Sequence, residues 1–384
     1  MRRRFLGLFS FWFLILSPAI LLVAEKGAKA EETIRVLILR EVPRVKITGQ
    51  DLILEDLETG RLLFQNKRIS SLTAYRGANL IVRTEDHSVS AQALTVHAPK
   101  APLNLNGRDY RGKLHLYPGA GPEVLSVVNE LPLEEYLVGL INVEISSQWR
   151  MEALKAQVVA ARTYALFQKI KRAGDLYHLE SSTNDQMYGG IQPEDSRSRM
   201  AVHQTEREII VFQGKPIFAV YSACCGGKTE SADLLWTGYL PYLQSRECNF
   251  CRDSPHFFWN WTVTAESLGR SLASAGFPEA QVREIKIQER SASQRVLRLV
   301  VRGDRSQTPF SGKDFRRFLG FDRVRSTQFT VKKENGLFFF SGLGWGHGAG
   351  VCQWGAKGMA EAGADYRTIL KYYYRGIELG KIPQ

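Results

Sequence analysis

The sequence predicts an α+β protein in which a β-rich N-terminal lobe packs on a mixed α/β lobe. Between residues 33 and 128, short segments of alternating and β-branched residues are separated by Gly, Asp and Asn, which is typical of strands and turns. Helical spacing starts at residue 132, and strand patterns return beyond residue 200. We therefore expect the β-rich lobe over residues 31–128 and the mixed lobe over residues 129–378.

The first thirty residues, 1–30, predict a secretory signal peptide. A basic start at residues 2–4 precedes an apolar run at 5–24, and an Ala-x-Ala site ends at Ala30. The run is close to the roughly 20 residues that span a bilayer, so an uncleaved membrane anchor is the alternative, although Pro18 interrupts it. The mature protein is expected in the periplasm or cell wall, with membrane contact only through an uncleaved leader.

The mature chain is basic. The formal net charge is +12, and the basic residues of the leader outnumber Glu25 by four, which leaves +8. Such a surface suits an anionic polymer, either the bacterial wall or a nucleic acid. Export favours the wall, so we expect no nucleic-acid partner.

The predicted elements follow from periodicity and from turn residues. In the N-terminal lobe the expected strands are 34–39, 51–55, 80–83, 94–97 and 113–117. Pro132 suits the first turn of a helix that continues through residue 140, and a second helix is expected over 150–172. Later strands are expected at 209–212, 217–221, 296–301 and 337–340, and later helices at 353–362 and 366–374.

Five segments carry a family resemblance. They are LPLEEYLVGLINVE at 131–144, EALKAQVVAARTY at 152–164, DQMYGG at 185–190, YSACCGG at 221–227 and GWGHGAGVCQWGA at 344–356. Together they closely resemble the signature of the SpoIID/LytB family, the family of stage II sporulation protein D. The resemblance implies a peptidoglycan-binding fold whose sporulation members cleave glycan strands stripped of stem peptides, leaving 1,6-anhydro-N-acetylmuramic acid ends.

The resemblance leaves two classes of function open. The first is an exported peptidoglycan lytic transglycosylase that acts on glycan strands. The alternative is a non-catalytic wall-binding activator of an N-acetylmuramoyl-L-alanine amidase, as LytB members are described, with that amidase as a partner. A zinc peptidase is the weakest interpretation, because the sequence has no H-E-x-x-H motif and no pair of histidines at metal spacing.

Glu144 is the candidate catalytic residue. It is flanked by valine and isoleucine in the predicted turn 142–149, and a carboxyl group in a partly apolar cleft has a raised pKa and can donate a proton. One such residue is enough for a transglycosylase, because the 6-hydroxyl of the sugar itself attacks the anomeric carbon. The alternative is a carboxylate that satisfies N–H groups at the start of the second helix.

The substrate-binding candidates come from the same motifs. Trp345, His347 and Gln353 lie in or beside a glycine-rich loop, 344–350, which permits close backbone approach and resembles a cleft wall. A tight turn ordered by a hydrogen-bonded histidine is the alternative. The remaining candidates are Gln186, Tyr188, Tyr221 and Ser222.

The cysteines predict a local site. Cys248 and Cys251 form a two-residue knuckle, His256 follows, and Cys225 lies upstream, which is typical of a structural zinc site. We assign these four residues as ligands, and a disulfide, favoured by an oxidising exterior, is the alternative. Cys352 departs from the resembling pattern, in which serine is commoner, so a hydroxyl role at that position is in doubt.

Overall fold

The computed structural model describes residues 31–64 and 69–382, and the predicted signal peptide at 1–30 lies outside the described residues. Alternating sequence in the N-terminal lobe produces strands whose inner residues are buried and whose outer residues are exposed. The strands are β1 (Thr33–Val42), β2 (Arg44–Thr48), β3 (Ile53–Asp56), β4 (Ser71–Arg76), β5 (Leu80–Arg83), β6 (Ser88–Ala91), β7 (Leu94–His97), β8 (Leu103–Leu105), β9 (Arg108–Tyr110), β10 (Lys113–Pro118) and β11 (Leu125–Pro132). Each strand predicted for this lobe overlaps one of these.

These strands form two six-stranded sheets. One has the order β12-β1-β11-β10-β7-β3, in which β12 is Leu179–Glu180, and the other has the order β6-β5-β4-β2-β8-β9. Strand β12 pairs parallel with β1, whereas β1 and β11 pair antiparallel with Val36 opposite Asn129. Strand β11 leads directly into the first helix, so this sheet fixes where that helix begins.

Helix α1 (Leu133–Glu144) and helix α2 (Met151–Lys171) follow. Pro132 is the N-cap of α1 rather than a residue of its first turn. The helix continues four residues beyond the predicted end at Leu140, because Leu137, Leu140 and Ile141 keep its inner face buried. The turn between the helices therefore starts at Ile145 and not at residue 142.

A buried ion pair joins the two helices. The Arg162 side chain is fully buried in α2, and its Nε and Nη2 donate to the two carboxylate oxygens of Glu134 in α1 at 2.8 and 2.7 Å. Removing one partner of such a pair typically costs about 3 to 5 kcal/mol. The pair therefore fixes α1, and with it Glu144, against the alanine-rich helix α2.

The later elements return to short strands and helices. They are α3 (Ser196–Gln204), β13 (Glu208–Phe212), β14 (Lys215–Pro216), β15 (Tyr221–Ser222), β16 (Phe258–Thr264), α4 (Ala265–Ala273), β17 (Glu284–Arg290), β18 (Val296–Arg302), β19 (Gln307–Ser311), α5 (Gly312–Leu319), β20 (Phe329–Glu334), β21 (Leu337–Leu343), β22 (Val351–Cys352), α6 (Gln353–Glu361), α7 (Tyr366–Tyr373) and β23 (Glu378–Lys381). The α+β class is confirmed.

The predicted strand 217–221 is only partly present. Strand β15 starts at Tyr221, because the Val220 N–H donates to the Phe218 carbonyl at 2.9 Å and turns the chain just before it. The turn lets Tyr221 and Ser222 pair with Val351 and Cys352 in the parallel strands β15 and β22.

Two hydrophobic cores divide the described residues. The larger runs from Ile34 to Ile382 and includes both N-terminal sheets together with α1, α2, α6 and α7. The smaller is confined to residues 259–340 and belongs to what we call the inserted subdomain, residues 258–343, with sheets β16-β21-β20 and β17-β18-β19 and helices α4 and α5. The predicted boundary between residues 128 and 129 remains a prediction.

The inserted subdomain enters and leaves the larger unit at one place. Phe258 and Leu343 are paired at the ends of β16 and β21, and the Gly344 N–H donates to the Phe257 carbonyl at 2.8 Å. None of the helices in the described residues is long and apolar enough to cross a membrane.

Candidate active site

Glu144 lies at the last turn of α1 and faces a cleft of about 500 Å³. The Met187 N–H donates to its Oε1 at 2.9 Å, and the Gln353 side-chain amide donates to its Oε2 at 3.4 Å. Burial raises the pKa of Glu144, and these hydrogen bonds, with one from Tyr221, oppose the rise only in part. The result is a carboxyl group that keeps its proton to higher pH than an exposed glutamate.

Tyr221 is oriented by a buried glutamine. The Gln186 amide nitrogen donates to the Tyr221 hydroxyl oxygen at 3.0 Å, and its carbonyl oxygen accepts from the Tyr136 hydroxyl at 2.9 Å. Because Gln186 fills one acceptor site of the Tyr221 hydroxyl, the hydroxyl proton is free for Glu144. Gln186 thus lies behind the cleft and orients the Tyr221 hydroxyl.

The glycine-rich loop 344–350 lies against the segment 220–224. A Cβ at Gly350 would lie 1.9 Å from the Val220 carbonyl oxygen, and one at Gly344 would lie 2.5 Å from that of Cys224. Both glycines also have positive φ, of 69° and 77°. The close approach that these glycines permit is therefore to the chain's own backbone, and it forms one wall of the cleft.

His347 holds this loop in place. Its Nε2 lies 2.9 Å from the Tyr221 carbonyl oxygen as a donor, and its Nδ1 accepts from the Ala349 N–H at 3.1 Å. Burial, followed by the positive charge of Arg316, lowers the pKa of His347 to about 4. The imidazole is neutral at pH 7, and backbone groups occupy both of its nitrogens.

The structure brings most of the predicted site residues together. The members that line the cleft with Glu144 are Tyr221, Ser222, Trp345, His347 and Gln353. The Ser222 hydroxyl has no hydrogen-bond partner among the described residues. Gln186 and Tyr188 are buried behind the cleft, where Tyr188 packs on the Tyr136 ring at 5.1 Å. A larger hollow of about 1150 Å³ on the N-terminal lobe is lined, in the described structure, by no residue of the five motifs.

The inserted subdomain supplies a wall that the sequence did not indicate. Arg316 of α5 and the nearby Phe321 line the cleft with Glu144. Arg316 Nε donates to the Val324 carbonyl at 2.9 Å, and the guanidinium lies 4.5 Å from the centre of the Phe321 ring. No motif signals this residue, because only tertiary packing brings α5 to the cleft.

Asp185 is the other carboxylate in the cleft lining, and it is already paired. It accepts from Arg172 at 2.7 Å, from the Tyr164 hydroxyl at 2.8 Å and from the Glu180 N–H at 2.9 Å. Its side chain is only 4% exposed. Asp185 is therefore a structural carboxylate, and Glu144 is the one whose proton is available among the cleft residues described.

Four buried cysteines converge beside the cleft. The Sγ atoms of Cys225, Cys248, Cys251 and Cys352 lie within 4.8 Å of one another, close enough to hold a metal ion. Cys352 thus takes the place that the sequence suggested for His256. His256 lies instead in the cleft wall, with its ring 4.7 Å from that of Trp345 and its Nδ1 without a described partner.

The geometry of the group fits a tetrahedral metal better than a disulfide. The Cys225 and Cys251 sulfurs are 3.7 Å apart, against about 2.05 Å in a disulfide and about 3.8 Å along the edge of a tetrahedron with Zn–S bonds of about 2.3 Å. Two backbone N–H groups, of Cys225 and Gly355, donate to Cys352 Sγ at 3.2 and 3.3 Å, which suits a thiolate. No disulfide joins any of the five cysteines in this structure.

Known proteins resemble this chain over most of its length. The sequence profile of Stage II sporulation protein matches residues 122–212, and that of a domain of unknown function matches residues 242–350, which include the inserted subdomain. An uncharacterised protein of Brachyspira hyodysenteriae is 36% identical over 72% of this chain and 74% of its own length.

Functional names are carried by further relatives, including the following two. Stage II sporulation protein D of Bacillus amyloliquefaciens is 29% identical over 66% of this chain and 76% of its own length. The Amidase enhancer of Bacillus subtilis is 28% identical over 79% of this chain, which spans only 47% of that protein. With the family profile placed on α1, α2 and the strands after them, these matches show that the chain belongs to the SpoIID/LytB family.

Proposed function

We propose that the chain is an exported enzyme that cleaves peptidoglycan glycan strands as a lytic transglycosylase, with Glu144 as its acid and base. The observation that carries the proposal is a single available carboxyl group with a raised pKa on the floor of a cleft. A carboxyl group with a raised pKa can deliver its proton to the leaving glycosidic oxygen. The carboxylate then accepts the proton of the muramic 6-hydroxyl as that oxygen bonds to the anomeric carbon.

The number of free carboxylates favours this chemistry over hydrolysis. Hydrolases of glycosidic bonds generally use two carboxyl groups, one of which activates water or attacks the sugar. Here Asp185 accepts hydrogen bonds from Arg172, from Tyr164 and from the Glu180 N–H, so Glu144 is left to act alone. An internal 6-hydroxyl nucleophile needs no second carboxylate.

The cleft walls suit sugar rings. The rings of Trp345 and His347 line the cleft and supply flat surface for stacking, and Ser222 lies in the same lining with a hydroxyl that has no partner among the described residues. Gln353 connects this wall to the acid, since it begins α6 and donates to Glu144.

We propose zinc as the structural metal of the four-cysteine group. A shell of four thiolates leaves no open coordination position, so zinc would supply stability rather than Lewis-acid chemistry. Cys225 follows the cleft strand β15, and Cys352 caps α6 directly before Gln353. The residues that would hold the metal thus fix both sides of the cleft against the knuckle at Cys248 and Cys251.

Product chemistry tests the proposed reaction. Purified glycan strands freed of stem peptides are incubated with the protein, and the ends are identified by mass spectrometry. Anhydro-muramic ends are expected, because the 6-hydroxyl attacks. Reducing muramic ends would mean that water attacks and that a second carboxylate takes part.

The second candidate is a wall-binding activator of an amidase. The relative named Amidase enhancer favours it. In that case the protein would leave glycan intact and raise the rate of a wall N-acetylmuramoyl-L-alanine amidase, and Glu144→Gln would do so equally well.

A further inference from the structure

The cleft that contains Glu144 also contains a positive charge, that of Arg316, which has no acidic partner among the described residues. Arg316 lines the cleft, and none of the ion pairs among the described residues includes it. Burial lowers the pKa of Arg316 to about 10, so the guanidinium is still charged at neutral pH. A partly buried cation without an acidic partner is unfavourable for the fold, which is a common sign of a binding site.

The guanidinium is held with its outer nitrogens free. Nε is occupied by the Val324 carbonyl, and the guanidinium lies over the Phe321 ring. These contacts fix its plane, and neither Nη1 nor Nη2 has a hydrogen-bond partner among the described residues. A guanidinium in this state matches the two oxygens of a carboxylate.

The other ionisable groups of the cleft do not neutralise it. Burial raises the pKa of Glu144, which favours its neutral form, and the carboxylate of Asp185 accepts from Arg172 and Tyr164. Among the described residues of the cleft, neither carboxyl group forms an ion pair with Arg316 on the α5 side. A ligand with a negative charge opposite α5 is complementary to this arrangement.

We propose that Arg316 recognises the free lactyl carboxylate of muramic acid, so that the inserted subdomain selects glycan from which the stem peptide has been removed. The inference rests on the proposed function, since it takes glycan as the ligand. In a strand that carries stem peptides the lactyl carboxyl is part of an amide bond and has no charge. Removal of the peptide exposes a carboxylate on each muramic residue, and the rest of the strand is neutral.

The test compares two ligands that differ only in that charge. One is a GlcNAc–MurNAc tetrasaccharide with free lactyl carboxylates, and the other has each lactyl carboxyl capped as its methylamide. Calorimetric titration of the full chain in the Glu144→Gln background, which prevents turnover, is expected to show about 10- to 100-fold tighter binding of the acid. Equal affinity for the two ligands would overturn the inference without need of any further variant.

Variants then assign the preference to one residue. Arg316→Gln is expected to bind both ligands with the affinity of the methylamide. The matched control is Arg317→Gln on the same helix, because Arg317 is 60% exposed and pairs with Asp314, and this variant should keep the full preference. An Arg316→Gln protein that folds, as judged by its melting temperature, and retains the preference would also overturn the inference.

The binding measurements separate this inference from the proposed reaction. A protein that prefers the acid through Arg316 but never produces anhydro ends contradicts the transglycosylase and supports carboxylate recognition. A protein that produces anhydro ends but binds both ligands equally supports the enzyme and overturns carboxylate recognition.

Discussion

Glu144→Gln separates catalysis from folding. The amide has almost the same shape as the carboxyl group but cannot deliver a proton, so the rate of anhydro-end formation should fall by about 10² to 10⁴. That loss corresponds to about 2.7 to 5.5 kcal/mol of transition-state stabilisation. Mass spectrometry of released products measures it directly.

The effect on stability follows from the contacts of the two oxygens. The amide oxygen can keep the hydrogen bond from the Met187 N–H, whereas the new NH₂ group faces the donor of Gln353. The bond lost there is long, at 3.4 Å, so its loss costs about 0.5 to 1.5 kcal/mol. The variant should therefore fold and bind glycan.

The pH dependence of stability has a definite sign. Because the pKa of Glu144 is raised in the folded protein, the unfolded chain loses this proton at lower pH. The wild type is thus destabilised as pH rises from the unfolded pKa through the folded one, and Glu144→Gln is not. Thermal melts at pH 4 and pH 7 should show the variant gaining on the wild type at the higher pH.

Glu135→Gln is the matched control, since Glu135 lies on the same helix and pairs with Arg111 and Arg199 at 3.2 and 3.6 Å. Such partly exposed pairs contribute about 0 to 1 kcal/mol, and the activity of Glu135→Gln should be unchanged.

Activity of Glu144→Gln within a factor of ten of wild type would refute the assignment of Glu144 as the acid.

Three further outcomes are expected. Elemental analysis should find about one zinc per chain, and chelation should lower the melting temperature. The Cys352→Ser variant should lose the metal, and the His256→Ala variant should keep it. Oxidised cysteines without metal would favour the disulfide. The pKa of His347 is lowered to about 4 in the folded protein, against about 6.5 in the unfolded chain. The neutral imidazole therefore contributes fully to the stability of the fold above pH 6.5, and this contribution is lost as the pH falls toward 4. NMR of the imidazole should show no titration between pH 5.5 and 8. Binding to wall sacculi should weaken with salt if the mature charge of +8 matters, and salt-insensitive binding would exclude that role.

The sequence predicted those parts of the fold that local patterns determine. Alternation located the N-terminal strands, and helical spacing located α2 within one residue of its ends. The end of α1 was missed because Asn142 and Val143 give no helical signal of their own. Buried Leu140 and Ile141 carry the helix on, and the Asn142 side chain then accepts from the Ser147 N–H beyond its end.

The residues of the candidate site likewise fall into those that local sequence motifs indicate and those that only the fold brings to the cleft. Glu144, Tyr221 and His347 stand in dense motifs and could be found by resemblance. Cys352 was visible as an unexpected cysteine, but only the fold shows that the head of α6 meets the Cys248–Cys251 knuckle. Arg316 had no local signal, because its role depends on how a separate core packs beside the cleft.

Both chain connections of the inserted subdomain lie at one place, so changes in this subdomain can be separated from changes in the part of the fold that carries Glu144. The first and last residues of the subdomain, Phe258 and Leu343, are paired between β16 and β21, and the subdomain has a separate hydrophobic core. A graft of a different subdomain between Phe257 and Gly344 would leave the scaffold that carries Glu144 uncut. Exchange of this one module would give related chains a new ligand preference while the acid and its hydrogen bonds remain as they are, provided that the module keeps the contact of Arg295 Nη2 with the Cys225 carbonyl beside the thiol group.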